Sequence, residues 1–316
     1  MRKTTRFNQT GGAIVYSNGN AYTGNSTSSN GYNLSGNGVL YHNGDFITAG
    51  GNSLGLNIAA GAVCYHQSGT LKGIAGNACV LTGIGGQYNY SSPTKLKQWG
   101  SASHCIYNNG ITNIYTEIIS GSSLAEKGRV ITNYSTLNIY ADVTGSSITG
   151  SVTGVIENLA TINLYGNLTG GDTSAAINNT AATSRVNLVG TSVTGGAWPA
   201  IVHYSVSGAV NDKTATITAG SNPAISENGY LYKNTTIVRG NMVNTNGVQA
   251  VNTAKLYITT STIQTALMQD VNNTDRALYT NPTGFPGEND TRYGVVYGAT
   301  GEYTGKCYVP NKAYVS

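Results

Sequence analysis

The chain has 316 residues, a net charge of +4 and a charged fraction of only 9%, against about 25% in an ordinary globular protein. So small a positive excess excludes nucleic-acid recognition by a basic surface, and no apolar run is long enough for membrane insertion. Hydrophobic residues make up 39% of the chain, and Ile, Val, Thr and Tyr recur in order, which excludes a disordered polymer.

At the N-terminus Arg2, Lys3 and Arg6 resemble the basic start of a secretion signal. Asn8-Gln9-Thr10-Gly11-Gly12 then stands where the apolar segment belongs, so no export signal is expected. Residues 1–12 are assigned to an N-terminal cap or docking segment. From residue 13 a short aliphatic or small step recurs at Val15, Leu40 and Cys64, then at Ile106, Ile131, Ile156, Ile177, Ile201, Ile225, Ala250 and Leu278. The spacing is about 24 residues if the gap between Cys64 and Ile106 hides one short unit near Ile84. A repeat of this length predicts an all-β chain: a single-stranded right-handed parallel β-helix (β-solenoid) of about 12 coils over residues 13–281.

Two early units match, Val39-Leu40-Tyr41-His42 and Val63-Cys64-Tyr65-His66. The two histidines are expected to stack outward on adjacent coils, at the position that holds asparagine further along. No third ligand accompanies them, so no metal site or cofactor is expected. Cys64, Cys79, Cys105 and Cys307 show no metal-binding spacing and read as small buried hydrophobes, with no disulfide predicted.

The clearest units lie between residues 104 and 190. Asn-aliphatic-Tyr recurs at 113–115, 138–140 and 163–165. Period-2 alternation points Ile114, Ile139 and Leu164 inward, and turns Asn113, Asn138 and Asn163 outward with Tyr115, Tyr140 and Tyr165. A second strand per coil ends in Asn108, Asn133, Asn158 or Asn179. Asparagine tolerates tight corners, and stacked amides bond to one another from coil to coil. Between these units, Ser122–Lys127 reads as one helical turn. Glu117 and Asp142 follow two residues after stacked tyrosines on consecutive coils, which places two carboxyls on one outward face about 5 Å apart, near the separation in a retaining glycosidase. The same pair is half of a Ca²⁺ site. The competing reading is that both are solvated outer residues.

The repeat breaks at Pro282, and residues 282–316 are assigned to a capping or oligomerisation tail. It carries Arg292-Tyr293-Gly294-Val295-Val296-Tyr297-Gly298, then Thr304-Gly305, then Val309-Pro310. This Arg-x-Gly-x-x-Tyr-Gly, Thr-Gly and Val-Pro series resembles a segment of bacteriophage virion structural proteins, and the repeat resembles their β-helical fibres and tailspikes. The resemblance implies a virion part made in the host cytoplasm and released by lysis, a homotrimer contacting other virion proteins.

Tyrosine outnumbers the other aromatics, 22 against 3 Phe and 2 Trp. Its apolar ring and wet hydroxyl suit broad half-exposed surfaces, built to touch another subunit or a host glycan. The leading expectation is therefore a non-enzymatic fibre, spike or head appendage with no catalytic residue. A polysaccharide-depolymerising tailspike using Glu117 and Asp142 is the second reading, and a bacterial surface adhesin the third.

Overall fold

A computed structural model describes residues 7–23, 30–48, 53–73, 78–98, 104–121, 128–148, 154–189 and 192–204, and beyond them strands and short segments between 209 and 314. The chain is an all-β solenoid built from parallel sheets. One coil illustrates the pattern. Arg129–Asn133 lies on a first sheet, Thr136–Ile139 on a second and Val143–Thr144 on a short third side. The next coil repeats this with Gly154–Asn158, Thr161–Leu164 and Leu168–Thr169. Among the described residues each long sheet carries eleven consecutive parallel strands, from Phe7–Thr10 to Val248–Ala250 and from Ile14–Asn18 to Lys255–Ile258. The coil count is therefore eleven rather than about twelve.

Inward positions are aliphatic because each coil closes around one apolar column per side. Ile106 pairs in register with Ile131, Ile131 with Ile156, and Ile156 with Ile177. On the second sheet Ile114 pairs with Ile139 and Ile139 with Leu164. All seven are fully buried. Small neutral residues cover the outside, where like charges on successive strands would face each other and repel.

Three expectations are corrected. Val15, Leu40 and Cys64 lie on the second sheet and Ile106 on the first. The aliphatic column read from the sequence thus changes side. The long interval is a regular coil, with Leu56 paired to Val80 and Val80 to Ile106. Ile84 falls in a turn and is 83% exposed. His42 and His66 are not in the asparagine column: His66 is in register with Tyr90, and Tyr90 with Ile114, so both histidines point inward and are buried. Among the described residues the parallel solenoid starts inside the segment assigned to the cap and stops short of residue 281. Phe7–Thr10 is already a parallel rung paired to Tyr32–Ser35, and parallel pairing ends at Ile258. After that, Thr265–Gln269 pairs antiparallel with Asp275–Ala277.

The tail closes that end. Glu302–Thr304 pairs antiparallel with Lys255–Tyr257, and Tyr308–Val309 with Val248–Gln249. An antiparallel strand laid on the last rung satisfies its open edge. Thr304 and Val309 of the tail motif lie in these strands. Arg292, Gly294, Tyr297, Gly298, Gly305 and Pro310 lie outside the described residues, as do Leu278, Cys307 and the stretch Ser122–Lys127.

Candidate functional site: the outer face of the second sheet

Two amide ladders organise the rod. The first is buried at the corner between the two long sheets. Asn108 Nδ2 donates to Asn133 Oδ1 at 2.7 Å, Asn133 to Asn158 at 2.8 Å and Asn158 to Asn179 at 2.7 Å. The same nitrogens reach the carbonyls of Thr136, Thr161 and Arg185 on the following coil. The side-chain oxygens accept from the backbone N–H of Gly110, Ser135 and Ala160. Asn108, Asn133 and Asn158 therefore each hold their own turn and lock it to the next coil, while Asn179 accepts from Asn158 and ends the column.

The second ladder is on the outside. Asn113 donates to Asn89, Asn138 to Asn113, Asn163 to Asn138 and Asn187 to Asn163, each at 2.8 Å. The donors point toward the preceding coil here and toward the following coil in the buried ladder, so the two rows of amide dipoles oppose each other.

Beside it runs a tyrosine ladder. Tyr115 and Tyr140 stack with centroids 4.9 Å apart and planes 7° from parallel, and Tyr140 and Tyr165 at 4.9 Å and 6°. Parallel strands impose this spacing, because in-register side chains repeat at the strand separation. All three rings are about half exposed. Since each ring covers the face of the next, the ladder offers solvent its ring edges and hydroxyls, not open faces.

A second tyrosine ladder, which the sequence reading missed, lies on the first coils. Tyr16, Tyr41 and Tyr65 stack at 5.1 and 4.9 Å. They occupy the lane that becomes asparagine later, since Tyr65 is in register with Asn89 and Asn89 with Asn113. Two residues on, these coils carry Asn18 and Asn43, with Asn43 donating to Asn18 at 3.0 Å, and on the third coil a shift of register brings Ser68, three residues after Tyr65, into the same lane. The lanes thus exchange: Tyr-x-Asn on the first coils, Asn-x-Tyr on the later ones. The signal lies in Tyr16-Ser17-Asn18 and Tyr41-His42-Asn43, where the same Tyr-x-Asn spacing recurs after 25 residues.

This face is uncharged. From Ile14 to Tyr165 its seven strands contain no Asp, Glu, Lys or Arg, and the first charged residue along it is Arg185. It also gathers exposed apolar groups: Ile14, Tyr16, Ile111, Tyr115, Tyr140, Tyr165 and Val189.

Charges gather elsewhere and are paired. Lys95 Nζ meets Glu117 at 2.6 Å, Lys72 meets Asp45 at 2.6 Å and Arg129 meets Glu157 at 3.2 Å. Asp142 Oδ1 accepts the backbone N–H of Asn167 at 2.7 Å. Asn20 does the same for Asp45, and Asn167 for Ser192. Asp142 thus belongs to a row of side chains that pin the corner leading to the third side. Glu117 and Asp142 do stand on consecutive coils, each engaged with its own partner.

The remaining reactive groups are interior. His66 Nε2 donates to the Gly44 carbonyl at 2.8 Å, so its Nδ1 accepts from the Tyr88 hydroxyl, also at 2.8 Å. Burial pulls both His42 and His66 down to about 4. Cys64, Cys79 and Cys105 are buried thiols that form no disulfide, and burial pushes the Cys64 and Cys79 thiols up. Among the described residues no three His, Cys, Asp or Glu side chains group as metal ligands, and no helix is long and apolar enough to cross a membrane.

Comparison with protein-family models, with curated proteins and with solved structures finds no match.

Proposed function

We propose that this chain is a structural component of a phage particle, a rod-like fibre, spike or head appendage that works through the outer face of its second sheet. The observation that carries this reading is that face: seven strands without a charge, with stacked tyrosines and exposed aliphatics side by side. Cores of protein interfaces are depleted in charge and enriched in tyrosine. Its partners are further copies of the chain and other virion proteins. The virion setting rests on the resemblance of the tail segment and the repeat to phage structural proteins.

Two features favour assembly over glycan work. A sugar ring stacks on an aromatic face, and here the faces between ladder members are covered by neighbouring rings. A depolymerase needs carboxyls free to act as acid and nucleophile, whereas Glu117 is held by Lys95 and Asp142 by a backbone N–H.

The test is co-purification. Particles from the source are banded on a density gradient and probed with antibody against the chain. The proposal expects the chain at the particle density, at a fixed ratio to the other virion proteins. Recovery only at the top of the gradient, with unassembled protein, contradicts it.

A further inference from the structure

The exchange of lanes makes this face complementary to itself when two copies run antiparallel. We infer that two copies of the chain pair face to face through their second sheets with their long axes antiparallel, about a two-fold axis that runs along the strand Gln87–Tyr90. The inference rests on the reading of this face as an assembly surface.

The argument is one of register. Count the second-sheet strands from Ile14–Asn18 as the first to Thr161–Leu164 as the seventh. Turning one copy end over end sets the first strand against the seventh, the second against the sixth and the third against the fifth. In one lane Tyr16, Tyr41 and Tyr65 then meet Asn163, Asn138 and Asn113 of the other copy. In the adjacent lane Asn18, Asn43 and Ser68 meet Tyr165, Tyr140 and Tyr115. Every tyrosine faces a short polar residue, so bulk fills the recess above each amide ladder. A parallel pair, turned about an axis along the rod between the two lanes, would set Tyr41 against Asn43 and Tyr140 against Asn138 within each coil and would have no use for the exchange of lanes, whereas the antiparallel pair depends on it.

Chemistry supports the same pairing. Asn138 and Asn163, both half-buried, each use one N–H and one oxygen lone pair along the column, leaving a second N–H and lone pair for a facing phenol; Asn113 beside them is buried and offers packing alone. No charge on either face opposes the approach. Seven strands at about 4.8 Å and five residues of about 3.3 Å cover roughly 550 Å² per copy, or about 1,100 Å² in all, just above the ~1,000 Å² that a specific interface has to clear. A threefold bundle gives each chain two different neighbours and does not use this two-fold match.

Thiol crosslinking of the full chain, with Cys307→Ser to remove the cysteine outside the described residues, tests the pairing. Ser91 follows the central strand and is exposed, so in the antiparallel pair it faces its own copy across the axis. Asn43 faces Tyr140, about four strand steps or 19 Å from its own counterpart. A short bismaleimide is expected to link Ser91→Cys to itself, to leave Asn43→Cys alone unlinked, and to link Asn43→Cys mixed with Tyr140→Cys. Circular dichroism and elution volume matching the parent confirm that each variant folds. Self-linking of Asn43→Cys overturns the antiparallel pairing but leaves the assembly reading standing. A single-chain mass with no product from any variant overturns both.

Discussion

Asn108 Nδ2 donates to Asn133 Oδ1 at 2.7 Å, across one coil step and at zero solvent exposure for both residues. Burying two primary amides is unfavourable unless their hydrogen bonds are made, and here the column and the turn carbonyls make them. Asn133→Ala removes the acceptor for Asn108 and Ser135 and the donor to Asn158 and Thr161. The expected loss is roughly 2–4 kcal/mol, since each buried group left without its partner costs about 1–3 kcal/mol. Asn138→Ala, half-buried on the outer ladder, should cost about 1 kcal/mol or less. Chemical denaturation of the two variants side by side checks the difference, and equal losses would show that the buried column is not what holds the coils.

The histidine pair makes the first coils acid-sensitive. Both ring nitrogens of His66 are used in its neutral form, and His42 lies 5.4 Å away, stacked on Phe46. Burial depresses both to about 4, below the ordinary value near 6.5. Between those values the unfolded chain binds more protons than the folded one, so stability rises with pH. It is complete above about pH 6.5 and falls as the pH drops toward 4. Burial, with help from Arg129, lowers His104 to about 4 as well, and it adds in the same direction. Denaturation midpoints at pH 7, 5.5 and 4.5 should decline in that order. His42→Phe should flatten the decline, and an unchanged slope would remove His42 from the account.

Gly69 has a φ of +93°, and a Cβ on it would run into the Gly44 carbonyl of the coil below. Both the backbone conformation and the close coil contact therefore require glycine. Gly69→Ala should cost about 1–3 kcal/mol, read as a lower melting temperature. Gly12→Ala, where a Cβ meets nothing within 4 Å, should change it little.

Exposed ion pairs contribute about 0–1 kcal/mol, and Asp142→Asn keeps the oxygen that accepts from Asn167. The double variant Glu117→Gln, Asp142→Asn should therefore keep the parent's fold and mass, with stability within roughly 1 kcal/mol. Melting and light scattering measure both. A loss of any capsule- or lipopolysaccharide-cleaving activity in the same variant would revive these carboxyls as a catalytic pair.

The solenoid was legible because one aliphatic residue per coil survives as a column, and Asn108, Asn133 and Asn158 survive beside it. What a period does not carry is the side of the coil. Both long sheets have an inward aliphatic at nearly the same interval, so Cys64 and Ile106 read as one column although they lie on different sheets. His42 was misplaced for the same reason. Interval lengths also vary where the chain returns from the third side to the first sheet. Nine residues separate Thr144 from Gly154 and five separate Thr169 from Ala175, which shifts the repeat without changing the strands. The outward face was legible at Tyr115, Tyr140 and Tyr165, but its charge-free continuity appears only once the second-sheet strands are aligned.

The most direct test of the uncharged face as an assembly surface is the solution mass of the full chain with and without a charge at its centre. Light scattering should give a multiple of 32.8 kDa for the native chain and a single-chain mass for Tyr140→Asp, with the same circular dichroism for both. A native chain that stays at the single-chain mass, or a Tyr140→Asp variant that assembles as the native chain does, would contradict the account.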